Sequence, residues 1–361
     1  MKPRFSFFFC ALTLLTACNG QIASKNIGGN STSKVGETVS ELSNSLLIVF
    51  QASNGSYWFG SDNDGFYKVD GTKIVHFSMK DGLSNNRIRG IQEDKKGNIY
   101  ISTLDGIDKF DGQNLTKLNV IKENNWRLHP DDLWFCMPGL SGASGLFRYD
   151  GKNLYELNLP KYFMEDEYYT KFPNKPWSPY EVYSIYKDEK GSMWFGTANL
   201  GLCRYDGSSF KWLYEDELTN TPNGGSFGIR SVIEDKKGEF WISNTNYRFT
   251  FPSGSIAEND SNLIDYKKHE GIQNLKTDKG DNFIYFMSAT LDNEGNLWFA
   301  TYDQGVWYYD GESVKQYLVK DKNKIVTLYS IYRDKEDNLW LGTHDSKIYK
   351  FSGKTFEKFS I

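Results

Sequence analysis

The chain has 361 residues, a formal net charge of −4, 24% charged residues and 16% aromatic ones. The near-balanced charge, with no basic stripe, excludes a nucleic-acid binder, and four cysteines in a chain of this length exclude a disulfide framework. Ten Trp, 23 Tyr and 25 Phe with 33 Gly point to a core of packed rings and many tight turns between short strands.

The chain opens "MKPRFSFFFCALTLLTAC". Lys2 and Arg4 form a short basic region and Phe5 to Leu15 an apolar one. That run is shorter than the roughly 20 residues a membrane-spanning helix needs, so it reads as an export signal. Leu15-Thr16-Ala17-Cys18 resembles a bacterial lipobox. Residues 1–17 are therefore expected to be a lipoprotein signal peptide and Cys18 the lipidated first mature residue. Residues 18–44, rich in Gly, Ser, Asn and Thr, are expected to be a flexible tether. The expected location is the bacterial cell envelope, at the outer membrane or periplasmic face, with the membrane as a partner through the lipid. The two remaining cysteines, Cys136 and Cys203, fall at non-equivalent places in the pattern below and are expected as free thiols.

From residue 45 onward the sequence repeats. "GSMWFGT" around Trp194 recurs around Trp58, Tyr100, Trp134, Trp241, Trp298 and Trp340, which makes seven copies. A turn glycine follows the central aromatic in every copy, thirteen residues on in five of them. An aspartate stands six residues before it in five copies: Asp94, Asp188, Asp235, Asp292 and Asp334. Its expected role is local, accepting backbone N–H bonds in the turn. In chain order a unit reads as a strand "VYSIYKD", a turn "EKG", a strand "SMWFGT", a loop "ANLG", a strand "LCRYD", a hairpin turn and a strand "SFKWLY". A lone four-stranded sheet cannot bury both faces, and seven such units stacked radially can. The predicted fold is all-β, a seven-bladed β-propeller of four-stranded antiparallel blades over residues 45–361. A first strand at Leu46 and a last one near Ile361 leave the mode of ring closure open, whole blades at both ends meaning that no strand is shared between the termini.

Two stretches, "GLSNNRIRGIQEDKKGNIYISTLDGIDKFDG" (82–112) and "VYSIYKDEKGSMWFGTANLGLCRYDG" (182–207), resemble the two-component regulator propeller repeat. That repeat occurs in the periplasmic sensor part of hybrid histidine kinases of Bacteroidetes-type bacteria. The resemblance implies an extracytoplasmic sensing or binding module, often linked to polysaccharide uptake. The chain stops at its last repeat, without kinase motifs, so it is not expected to signal by phosphotransfer itself.

Length variation falls between each turn glycine and the next central aromatic, with spacings of 29, 22, 43, 34, 44 and 29 residues. In a propeller this places the variable connections, together with the second-to-third-strand loops, on one face, where binding residues are expected. Candidates at the channel mouth are Asn85, Asn86, Arg87, Arg230, Asn282, Tyr285, His344 and Asp345. The long insertion 160–181 adds Trp177 and Tyr180, whose rings suit a sugar face or a peptide, or else belong to a lid packed on the blades. The insertion 256–282 reads as a surface loop carrying His269-Glu270.

Catalytic motifs are absent: there is no nucleophile elbow and no His-Glu-x-x-His. Asp62 and Asp64 are too few oxygen ligands for a Ca²⁺ loop, and no Cys-x-x-Cys or His cluster suggests zinc. No cofactor or metal is expected. The reading is a lipid-tethered module recognising a glycan, peptide or partner protein, with a membrane receptor or sensor as a further partner. The alternative is a lyase or hydrolase at the propeller mouth with His344 as its first candidate.

Overall fold

Alternating side chains bounded by Gly and Asp turns fold each repeat into a small sheet, and seven sheets form a β-propeller. The computed structural model describes residues 35–137, 144–174, 177–221, 226–252, 262–277, 280 and 282–361. Cys18, the signal segment and most of the expected tether lie outside the described residues. Among the described residues no helix is long and apolar enough to cross a membrane.

Blade 4 shows the pattern. Val182–Lys187, Met193–Thr197, Leu202–Tyr205 and Phe210–Leu213 pair antiparallel in chain order, from the innermost strand to the outermost. The turn between the first two strands closes with Gly191 at φ +87°, a left-handed conformation that costs glycine little. The turn aspartate Asp188 accepts the Ser192 amide at 2.7 Å and, through its other oxygen, the indole N–H of Trp194 at 2.8 Å. Asp235, Asp292 and Asp334 bond Trp241, Trp298 and Trp340 in the same way at 3.0, 3.0 and 2.7 Å, and Asp94 accepts from the Tyr100 hydroxyl at 3.0 Å. The aspartate therefore fixes both the turn and the ring.

Those rings join the blades. Trp58 packs on Phe110, Tyr100 on Tyr149, Trp134 on Phe195, Trp194 on Phe240, Trp241 on Phe299, Trp298 on Phe351 and Trp340 on Tyr57. Each partner belongs to the next blade, with centroids 5.0–5.8 Å apart. The last of these contacts closes the ring between blade 7 and blade 1. No strand is shared: Leu46–Gln51 is innermost in blade 1 and Phe356–Lys358 is outermost in blade 7.

Three blades depart from the expected plan. Blade 1 has a fifth strand, Glu37–Val39, from within the expected tether; it pairs antiparallel with Lys73–Phe77. The outer strand offers an open row of N–H and C=O groups, and Leu42 behind it is buried. Blade 5 takes its outer strand, Lys267–Glu270, from the middle of the insertion read as a loop. His269 is thus a strand residue, 3.0 Å from the Thr250 hydroxyl.

Blade 3 is the largest departure. Its innermost strand is Leu133–Cys136, the counterpart of the second strand elsewhere, followed by Leu146–Tyr149 and Leu154–Leu157. Its fourth strand, Val120–Ile121, lies at the outer edge and is parallel rather than antiparallel. The chain between runs outside the channel. Trp126 donates to the Asn158 carbonyl at 3.2 Å and wedges against Phe195, Tyr205 and Phe210 of blade 4. Arg148 then pairs with Asp132 at 2.7 Å, both side chains almost fully buried, and fixes the entry into Leu133–Cys136. With the connection held by these contacts, no residues remain to thread an inner strand.

Candidate functional site

The channel wall is built from six inner strands: Leu46–Gln51, Ile88–Glu93, Val182–Lys187, Val232–Glu234, Ser288–Leu291 and Leu328–Arg333. In four of them the pairing register slips at the second position, between Leu46 and Ile48, Ile88 and Gly90, Val182 and Ser184, and Leu328 and Ser330. A bulge leaves its extra residue unpaired and re-aims the side chain. The residues at this level are Leu47, Arg89, Tyr183 and Tyr329, with Arg230 and Met287 at the same place in the sequence pattern of blades 5 and 6.

The third position is small in five of the six, all but Ile48 of blade 1, and its serines tie neighbouring inner strands together. Ser330 donates to the Leu47 carbonyl at 2.6 Å and Ser184 to the Ile229 carbonyl at 2.8 Å. The bulge residues therefore stand on a rigid ring. Arg89, Tyr183, Arg230 and Met287 line a cavity of about 390 Å³, which also reaches Trp134, Phe135 and Cys136 on the exposed inner edge of blade 3. The missing strand of blade 3 is what opens the channel on that side.

The charges at this level are unevenly paired. Arg89 bonds Asp62 at 2.9 Å, and Arg87 on the rim lies 3.5 Å from the same carboxylate. Arg230 stacks on the Tyr183 ring at 3.9 Å and donates through Nε to the Phe227 carbonyl at 2.9 Å. No carboxylate among the described residues lies within ion-pair distance of Arg230. Burial pushes the Tyr329 hydroxyl to a higher pKa, tempered by Arg89 and Arg230. His344 packs edge-on to Tyr329 at 5.2 Å, below the half-exposed Tyr302. Burial lowers its pKa against the pull of Asp62, so its imidazole is neutral near pH 7. Burial also raises the Cys136 thiol to about 11.

Of the residues expected at the mouth, Arg230 and His344 join this cluster. Arg87 stays on its rim, half exposed, donating through Nε to the Asp62 carbonyl at 3.2 Å. Asn85 donates to Asp105 at 2.8 Å and accepts the Arg87 amide, while Asn86 accepts the Met79 amide; both shape the turn. Asp345 is held by Lys324 at 2.8 Å and the Thr327 amide at 3.1 Å. Tyr285 donates to the Asn220 carbonyl at 3.1 Å, beside Phe227 and Phe283. Asn282 is exposed in a connection, its carbonyl accepting from the Leu275 amide.

The 160–181 insertion forms a separate groove on the same face. It carries a short helix, Glu165–Lys171, which with Asn199, Tyr214 and Asn220 lines about 450 Å³. Tyr168 donates to Asn199 at 3.2 Å, which joins the insertion to the "ANLG" loop. Tyr180 is scaffold: it donates to Glu165 at 3.0 Å, accepts the Tyr162 amide at 2.7 Å and packs on Trp212. Trp177 is 42% exposed, with Phe163, Tyr169 and Phe172 also open to solvent.

Sequence reasoning missed Arg89, Tyr183, Met287, Tyr329 and Cys136. The first-strand pattern Ile88-Arg89-Gly90-Ile91, Val182-Tyr183-Ser184-Ile185, Ile229-Arg230-Ser231-Val232 and Leu328-Tyr329-Ser330-Ile331 carries the signal, since the residue before the small one faces the channel.

Three segments, 82–105, 176–199 and 318–345, match the family model described as two component regulator propeller. No curated protein matches the chain. Among solved structures, the fold is similar to the extracellular domain of a protein described as hybrid two component system BT4673 of B. thetaiotaomicron (21% identity, TM-score 0.56, 88% of this chain). It is also similar to the corresponding domain of BT3049 of the same organism (17% identity, TM-score 0.57, 89% of this chain). The chain spans 39% and 42% of those two domains. A streptogramin B lyase shares the fold at 13% identity and TM-score 0.56, covering 87% of this chain and 96% of the lyase. In its repeats and its fold, the chain is similar to the two component regulator propeller family.

Proposed function

We propose that the chain is an extracytoplasmic sensor-type propeller, held at a membrane by a lipid on Cys18, whose ligand enters the central channel from the variable-loop face. The observation that carries this reading is the channel cavity of about 390 Å³, lined at the bulge level by Arg89, Tyr183, Arg230 and Met287. That size lies within the roughly 300–1,000 Å³ usual for ligand pockets. The match to the two component regulator propeller model supports a sensing role, and the extracellular origin of the similar domains supports export. A glycan or peptide is the ligand class, and a membrane receptor or sensor protein is the partner that would read the occupied state.

The reading is tested by screening the purified chain against glycan and peptide arrays and repeating the hits with Tyr329→Ala and Trp177→Ala. Loss with Tyr329→Ala alone places the ligand in the channel. Loss with Trp177→Ala alone moves it to the insertion groove and overturns the channel reading. Membrane anchoring is checked by labelling cells with an acyl-chain analogue. Label on the wild type but not on Cys18→Ala is expected, and equal labelling would rule out the lipid. A mouth enzyme would need turnover of a ligand found in the screen, abolished by His344→Ala.

A further inference from the structure

We infer that the channel ligand carries an oxyanion (a carboxylate, phosphate or sulfate group) and that Arg230 is the residue that receives it. The inference rests on the channel reading above and names the chemistry of that site. Of the three guanidinium groups at the mouth, Arg87 and Arg89 both spend their charge on Asp62. Arg230 does not: its Nε is used by the Phe227 carbonyl and its face by Tyr183, which fixes the plane of the group. The two terminal nitrogens are left as a fork of donors, and a planar guanidinium fork matches an oxyanion in bidentate fashion.

The surroundings are arranged for a bound anion rather than for a mobile surface charge. Arg230 lines the channel cavity beside Ser184 and Ser231. Burial and then the neighbouring Glu181 raise the pKa of its stacking partner Tyr183, and Arg230 lowers it. Across the cavity the missing strand of blade 3 leaves the Leu133–Cys136 edge facing the channel. The Trp134 carbonyl there is already taken by the Gln92 amide at 2.7 Å. In the antiparallel register Met137 bonds outward to Gly145, so the alternate Trp134 and Cys136 N–H groups turn toward the cavity. Donors thus face the space from two sides, with the Cys136 carbonyl beside them on the blade 3 edge, while Asp62, the carboxylate nearest to Arg89, is held by its own arginines.

The test is calorimetric titration of the whole chain with three probes at matched ionic strength: glucuronate, glucose 6-phosphate and neutral glucose. At least one of the two anions is expected to bind and glucose to bind more weakly; which anion wins distinguishes carboxylate from phosphate recognition. Arg230→Gln is expected to lose about tenfold or more in affinity for that anion, a loss of at least about 1.4 kcal/mol. Arg230→Lys is expected to keep part of it, and Lys354→Gln, an exposed charge on the outer hairpin of blade 7, all of it. Thermal unfolding of each variant shows whether it is folded before titration, and Arg230→Lys serves if Arg230→Gln is not. Binding of both anions no tighter than glucose, or anion binding unchanged in Arg230→Gln, overturns the inference. A neutral array ligand lost in Tyr329→Ala would leave the channel reading standing while the oxyanion falls.

Discussion

The Tyr57 hydroxyl donates to the Asp334 carboxylate at 2.6 Å, joining the second strand of blade 1 to the turn of blade 7 across 277 residues of sequence. This bond, with Lys335 N–H to Gln51 at 2.9 Å and Ser45 N–H to Ser346 at 2.8 Å, does the work that a shared strand does in other closed rings. Burial and the adjoining Asp334 push the Tyr57 pKa upward, so the phenol stays a donor at physiological pH.

Tyr57→Phe is expected to keep the stacking on Trp340 and remove the donor. A hydrogen bond to a charged acceptor contributes about 1.5–3 kcal/mol. Urea unfolding should show a lower midpoint with little change in slope, and proteolysis of the native state should open first between blades 7 and 1. An unchanged midpoint would mean that the apolar contacts alone close the ring.

Gly342 tests the same seam by steric means. A Cβ there would stand 1.9 Å from the Leu47 carbonyl oxygen and 2.5 Å from Ser330 Oγ. Backbone cannot yield as a side chain can, so Gly342→Ala should cost about 3 kcal/mol or more, at or above the upper end for overpacking. Gly353→Ala, with open space around its Cβ position but a φ of +87°, should cost about 1 kcal/mol.

Acid sensitivity follows from the turn aspartates. Burial opposes ionisation of Asp206, but the amides and hydroxyls of Ser208 and Ser209 outweigh it and bring its pKa to about 2. Ser313 and the Glu312 amide hold Asp310 at about 2 as well. At Asp334 burial is outweighed by donors from Tyr57, Trp340 and Asn338, and its pKa is lowered. Unfolded, these groups titrate near 3.9, roughly. The folded state binds fewer protons between the two values, so their contribution is full above pH ~4 and is lost as pH falls toward ~2. The urea midpoint should be level near neutrality with respect to these groups and drop below pH ~4. Asp206→Asn with Asp310→Asn should flatten that drop.

The two thiols should be quiet in the native protein. Burial raises Cys203 well above its ordinary value and Cys136 to about 11. At pH 7 a thiol of that pKa is ionised in about one molecule in ten thousand. Iodoacetamide followed by peptide mass spectrometry should find both residues unmodified until the chain is unfolded. Rapid modification of native Cys136, which lines the channel cavity, would show that its thiol ionises more readily than its raised pKa allows.

Much of this architecture was legible beforehand because it is repeated. Seven aromatic centres and five turn aspartates give a period that no single site would produce, and the structure uses both for packing and turns. That the aspartate also binds the indole was not legible, because the two meet only once the turn has folded. His269-Glu270 was misread because strand Lys267–Glu270 has no apolar alternation and earns its place by pairing with Asn244–Thr250. The channel residues were missed for a similar reason. A bulge breaks period two, so Arg89 and Tyr329 point where simple alternation does not put them.

The sequence by itself determined the fold class, the number of blades and the face of variable loops, because all of these depend on local periodicity and turn chemistry; how the ring closes was left to the tertiary structure. Tertiary structure alone decided that blade 3 gives up its inner strand. Trp126 packs between blades 3 and 4, and Arg148 with Asp132 fixes the chain there; neither contact has a signature in the local pattern. It also decided which mouth residues meet. Arg230 and His344 share a cluster because inner strands from blades 5 and 7 converge on one channel, whereas Asn85, Asn86 and Tyr180 spend their hydrogen bonds on the scaffold.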